Sequence, residues 1–365
     1  MAQDGTVARG SCGFGEIGMT SAIAPLALAV STGALLALPL TPAIRELVAK
    51  RDAGPLVTRK DDGRIDNFAD SLRAHSEPFE AELAQCAQME VDQIVEHAAE
   101  KVYLCGREGS WQGPQRPDML VLGAASVSLP AGFHCFRDFY ARGSVFCGQS
   151  NIFRALLSDA DIHLSAQSQV LRWTHAEGKL TASEGCTFFG RASAGEAMVL
   201  SDNCRFERIH APVIYSSEQA SKLDIRTESA PFSKLAQAGI GRKRVHGRAH
   251  LGREEQHLGD LVSLKSLHLD EGAAVFGSVK ANGPIELAAR SEIDGALVST
   301  KTIHISGGCF VKGPLIAERE IVISSGAQIG LPGTPSTVSA PHIRIAPGAV
   351  LHGTVWARVE GRVGG

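Results

Sequence analysis

Large aromatic side chains are scarce in this 365-residue chain: Phe, Tyr and Trp make up 5% of it, against a hydrophobic share of 44% and 39 glycines. Such a core must be built from small and aliphatic groups, which suits thin repeated layers better than a cavity walled by rings. A dominant charge of one sign is missing too. The net charge is −3, with acidic and basic residues interspersed, so no global field calls for nucleic acid or an acidic substrate. None of the eight cysteines stands in a C-x-x-C pair, which argues against zinc-ribbon and thioredoxin-like chemistry. Eight in this length are also too few for a disulfide-built scaffold. The sequence has no nucleophile elbow, P-loop or dinucleotide fingerprint. No catalytic residue, metal or cofactor is therefore expected.

Charge is wholly absent from Ile17 to Ile44. About 20 apolar residues suffice to cross a bilayer. After a tail at 1–18, residues 19–41 are thus expected to form a transmembrane helix, with Ile23, Leu26, Leu28, Val30, Leu35, Leu36, Leu38 and Leu40 as the anchor. A cleaved signal peptide ending at Ala27-Leu28-Ala29 is the competing reading, but Arg9 is the only base ahead of the run. Arg45, Lys50 and Arg51 follow it, an excess of bases that places the C-terminal side in the cytoplasm.

What the chain does have is a repeat. Val275-Phe-Gly277-Ser-Val279 recurs as Ile293-Asp-Gly295-Ala-Leu297 and Val311-Lys-Gly313-Pro-Leu315. Ile329-Gly-Leu331 and Leu351-His-Gly353-Thr-Val355 follow, so the apolar leaders step by 18, 18, 18 and 22. The extra four residues fall in the loop-like stretch Gly333-Thr-Pro335-Ser. A second strand accompanies each unit: Leu267-His-Leu269, Ile285-Glu-Leu287, Ile303-His-Ile305, Ile321-Val-Ile323 and Ile343-Arg-Ile345. Two places before the leader runs a column of small residues, Ala273, Ser291, Cys309, Ala327 and Ala349. One place earlier stand Gly272, Arg290, Gly308, Gly326 and Gly348, a corner that needs positive φ, with strain expected at Arg290. The same ruler fits leaders Cys135, Ile152, Val170, Phe188 and Phe206, the corners Gln149, Gln167, Gly185 and Asn203, and the small residues Ser150, Ser168, Cys186 and Cys204. A unit of 18 residues with short strands and Gly corners is one coil of a parallel β-helix. Cys186, Cys204 and Cys309 then lie in the inward column, as packing groups rather than redox or metal ligands.

Gly259-Asp-Leu-Val, Leu267-His-Leu, Gly272-Ala-Ala-Val-Phe-Gly277, Ile293-Asp-Gly295 and Val311-Lys-Gly313-Pro-Leu315-Ile-Ala together resemble the bactofilin domain over roughly 100 residues. The resemblance implies a right-handed β-helix, a cytoskeletal protein that polymerises without nucleotide at the bacterial inner membrane, and a landmark role for envelope-synthesis proteins. The chain departs from short members of that family in its apolar segment, in residues 45–117 and in its second solenoid block. A left-handed hexapeptide-repeat acyltransferase shares the 18-residue coil, and a periplasmic carbohydrate-associated β-helix stays open if the apolar segment is a signal peptide.

The expected organisation is a juxtamembrane linker at 42–76, an amphipathic helix at 77–100, a first β-helix block at 118–212, an irregular basic insertion at 213–256 and a bactofilin-like block at 257–360. The helix is read from Phe79, Leu83, Cys86, Met89, Ile94 and Val95, and is expected to cap or flank the first coil. The insertion holds Gly241-Arg-Lys-Arg-Val-His-Gly-Arg248, read as a solvated loop ahead of a contact with anionic lipid, and that ahead of nucleic-acid binding. The last coil is expected to lie open, exposing Leu351, Val355, Trp356 and Val359 for pairing with a second copy. A ladder of His268, Glu286 and His304, and the group His246, His250, Glu254 and His257, are weak metal candidates, better read as solvated stripes.

Overall fold

The computed structural model describes residues 20–41, 45, 67–97, 100–222, 225–228 and 237–364. They fall in two compact units, Met1–Gly63 and Arg64–Gly365. The first holds one helix, α1 (Thr20–Ala37), with Pro25 inside it and a 3-10 turn, Leu38–Leu40, after it. Eighteen residues rise about 27 Å, short of a hydrocarbon core of about 30 Å. Among the described residues no helix is long and apolar enough to cross a membrane, so the span expected at 19–41 finds no support. Leu26, Leu28, Val30, Leu35, Leu36, Leu38 and Leu40 are all exposed, as is Arg45. The side chain of Ile23, and Lys50 and Arg51, lie outside the described residues.

The second unit is a β-solenoid of about 14 turns with few helices. In it the 18-residue rule becomes geometry: Leu267, Ile285 and Ile303 stand in parallel register on three successive coils. The period-two alternation buries Leu267, Leu269, Ile285 and Leu287 and turns His268 and Glu286 outward. At the corners Gly272, Gly308, Gly326 and Gly348 take φ of 70–92°, and Arg290 takes 59° without a glycine's freedom. Gly277 answers to a different demand. A Cβ there would stand 2.4 Å from the backbone of Gly259 on the neighbouring coil.

One leader of the first block differs from the expectation. Phe153, not Ile152, is in register with Cys135 and Val170, and it is fully buried. The short step therefore follows it, the left-handed corner is Ser150 (φ 56°) rather than Gln149, and Asn151 is the inward residue. Two adjacent apolar residues satisfy the pattern equally, and a one-residue slip exchanges the faces.

Several boundaries move as well. The linker expected at 42–76 ends in α2 (Asn67–Ser76), which leads through Glu77–Phe79 into α3 (Glu80–Met89). The helix expected to reach residue 100 stops at Glu90, whose φ is 52° and whose N–H closes on Ala87 and Cys86. Asp92–His97 is a strand antiparallel to Glu100–Cys105, with β-branched Ile94 and Val95 opposite Tyr103 and Val102. The first block begins before residue 118, since Val102–Cys105 already pairs in parallel with Leu120–Gly123, and it runs on to Tyr215. The basic insertion is no irregular loop at its C-terminal end: Lys243–Val245 pairs with Leu261–Ser263, and Ala249–Leu251 with Leu267–Leu269, as a full coil of the second block.

Helices α2 and α3 flank the first block rather than cap it. Leu72, Phe79 and Leu83 pack on Leu104, Leu122, Tyr140 and Leu157, a second apolar cluster outside the coils. Arg73 locks α2 down, bonding Asp159 at 2.8 Å and Glu177 at 2.6 Å.

The two blocks meet at their last coils. Strand Arg205–Tyr215 pairs antiparallel with Val350–Val363, placing Ile209 opposite Val355 and Ile214 opposite Leu351, and one apolar core runs through both. Beyond this seam Arg226 lies on the outside of the second block. Arg226 exchanges backbone bonds with the Gln328 side chain at 2.9 and 2.8 Å, pairs with Glu292 at 2.7 Å and lies over the Phe310 ring.

Candidate functional site

The seam decides the fate of the residues expected to recruit a second copy. Leu351 and Val355 are buried in it, at 1% exposure each, so the edge read as open is paired within the chain. Asn203 donates to the Val363 carbonyl at 2.8 Å, and Val363 to that of Cys204 at 2.9 Å. Trp356, half exposed beneath the Arg208 guanidinium, which lies 5.7 Å from its ring centre, and Val359, 66% exposed, both stay outside the core. The sequence pattern missed this because the pairing is antiparallel and joins distant segments, leaving no trace in an 18-residue period.

Free edges lie instead at the two outer ends. Among the described residues, strands Gln237–Ile240, Lys243–Val245 and Ala249–Leu251 pair on one side alone. That end is basic, with Arg242, Lys243, Arg244 and Arg248 exposed. The opposite end is the strand Asp92–His97, which among the described residues pairs only with Glu100–Cys105 and carries Asp92 and Glu96.

A cleft of about 630 Å³ opens between α2 and the outer face of the first block. Phe68, Ser71 and His75 line it from the helix; Arg154, Arg172, Trp173, Arg191 and Glu207 line it from four successive coils. Phe68 stacks on Trp173, with centroids 6.1 Å apart, and the Arg191 guanidinium lies 4.9 Å above the Phe68 ring. A second recess of about 350 Å³ shares His75, Asp138 and Arg154 with it. The three arginines recur at steps of 18 and 19, a signal present in the sequence but unread, because nothing in it places α2 above them.

Other polar groupings resolve into structure. His175 bonds Ser193 Oγ at 2.8 Å and Glu177 Oε1 at 3.3 Å, a serine–histidine–carboxylate chain. Ser193 and His175 are buried, at 2% and 4% exposure, so no substrate reaches the hydroxyl. On the second block Asp270 receives His250 at 3.0 Å and His268 at 3.1 Å, and His268 also meets Glu286 at 3.3 Å. The His250 bond and the two imidazoles hold the Asp270 carboxyl below its usual range. Among the described residues no group of His, Cys, Asp and Glu could hold a metal ion. The seven described cysteines are free and buried, and burial raises the thiols of Cys105 and Cys135 to about 12 and that of Cys309 to about 11. A protonated, inaccessible thiol is a packing group. No protein-family model, curated protein or solved structure matches this chain.

Proposed function

We propose that this protein is a non-catalytic scaffold that assembles with copies of itself through the outer ends of its solenoid, in the manner the bactofilin resemblance implies. The observation that carries the reading is the pair of one-sided strand edges, basic at Lys243–Val245 and acidic at Asp92–His97. Unpaired edges template pairing with another chain, and opposite charge favours joining one end to the other. Attachment to a bacterial inner membrane through 19–41, a cytoplasmic solenoid of right-handed winding and envelope-synthesis proteins as clients belong to the same reading. The uncharged run and its exposed leucines support the membrane part.

Negative-stain electron microscopy and sedimentation of residues 64–365 test the assembly. Filaments or sheets are expected, weakened in the Lys243→Glu, Arg244→Glu pair. Dispersed monomers or closed trimers at every salt concentration overturn the reading. Recovery of the full-length protein in the soluble fraction of bacterial cells would remove the membrane part and leave assembly standing.

A further inference from the structure

The cleft under α2 is not used by assembly, and its chemistry is unspent. Arg154 is neutralised by Asp138 at 2.7 Å. Arg172 is exposed and makes no ion pair among the described residues, and the same holds for Glu207. One coil further on, Arg208 stands in register with Arg191, and its Nε is buried without a partner among the described residues. Burial first, and then the charge of Arg191, disfavour the charged form of Arg208. The cleft itself is lined by Arg154, Arg172 and Arg191 against Asp138 and Glu207, so its wall carries an excess of positive charge. Arg191 and Arg208 are thus one coil apart, at roughly 4.8 Å, while Arg172 sits beside Trp173, the register partner of Arg191.

We propose that this cleft binds an acidic oligosaccharide, with Arg172 and Arg191 taking its carboxylates and Glu207 accepting from its hydroxyls. The mixed lining selects this class. A row of phosphates, as in nucleic acid, would meet the carboxylates of Asp138 and Glu207 head on, whereas a sugar chain brings hydroxyl donors to them between its own acidic groups. The volume lies within the range of small-ligand clefts, and Leu171 and Trp173 offer apolar ground to sugar C–H faces. Guanidinium pairing with carboxylate is planar and bidentate, so it reads an acid group at a fixed orientation. Helix α2 supplies the opposite wall and is held there by Arg73, outside the cleft.

The full-length protein is titrated calorimetrically with tetragalacturonate, its neutral methyl ester, inorganic phosphate and a thymidine oligonucleotide, with Trp fluorescence followed in parallel. Tetragalacturonate alone should bind, and Arg172→Gln should weaken it about tenfold or more, as expected for loss of a charge-assisted pair. Arg172 has no ion-pair partner to lose among the described residues, so this variant separates binding from folding; Arg253→Gln, on the second block, should leave the affinity unchanged. No binding at millimolar ligand, equal affinity in Arg172→Gln, or equally tight binding of the ester, of phosphate or of the oligonucleotide each overturn the proposal.

Discussion

Single residues in this fold are constrained by the coil above and the coil below more than by their neighbours in sequence. Gly277 shows how strictly. A methyl group at Gly277 would be driven into the Gly259 backbone at 2.4 Å, so Gly277→Ala should lower stability by about 1–3 kcal/mol. Gly308 has φ 70°, and a Cβ there would stand at ordinary contact distance from the neighbouring coil, 3.5 Å from Arg290 Cγ and 4.0 Å from its backbone N, so Gly308→Ala should cost nearer ~1 kcal/mol, the price of a left-handed alanine. Urea midpoints of the two variants measure the difference, and equal losses would refute the packing account of the column. The buried thiols set a second residue-scale expectation. Cys105, Cys135 and Cys309 ionise near 9.0 when free and at about 11 to 12 in the fold. An acid whose value is raised by folding contributes stability that is whole below its unfolded value and is lost as pH climbs through the folded one. The melting temperature should therefore hold steady to about pH 9 and fall as the pH climbs from there toward about 11 to 12; a flat profile to about pH 11 would contradict this.

Elements were legible where they obey the period and obscure where they do not. The corners at Gly272, Gly308 and Gly326 and the inward Cys186, Cys204 and Cys309 follow from spacing alone, because each coil repeats the same backbone path. Ala249-His-Leu251 stands 18 residues before Leu267-His-Leu269 and was equally readable, but the surrounding basic run made it look like loop. Asp92–His97 was not readable as a strand. Ile94 and Val95 fit a helical face by spacing, and only the pairing with Glu100–Cys105 shows otherwise. The cleft was hidden for a related reason, since its second wall is a helix that the sequence placed in a linker. What keeps α2 in place is a test of its own. Arg73 reaches Asp159 and Glu177 from a half-buried position, and Tyr140 shares Asp159. Arg73→Met should loosen α2 and α3 by about 1–3 kcal/mol while the coils stay folded. Hydrogen exchange reads it directly: protection should drop across 67–89 and persist across 267–305, and unchanged exchange at 67–89 would count against the clamp.

For the whole molecule the seam is the decisive contact, since it makes one core out of two stacks. Solenoid stability is a sum of coil and interface contributions, so a weakened interface should uncouple the two halves. Gly361 offers the handle: a Cβ there would sit 2.1 Å from the Phe206 ring, across the antiparallel pair. Gly361→Leu should split a single unfolding transition into two, seen by calorimetry. A single transition retained at lower temperature would mean that the blocks are joined chiefly by the contacts of Arg226.

The seam also fixes the sense in which the strands circulate. All coils of the first block run one way around the axis, those of the second run the other way, and Asp92–His97 reverses once more at the far end. The outermost strands at the two extremities consequently point in the same direction. If a second molecule were set beyond the first by translation alone, like-directed edges would meet, and the row would have a distinguishable front and back. A cell could tell one end of such a row from the other.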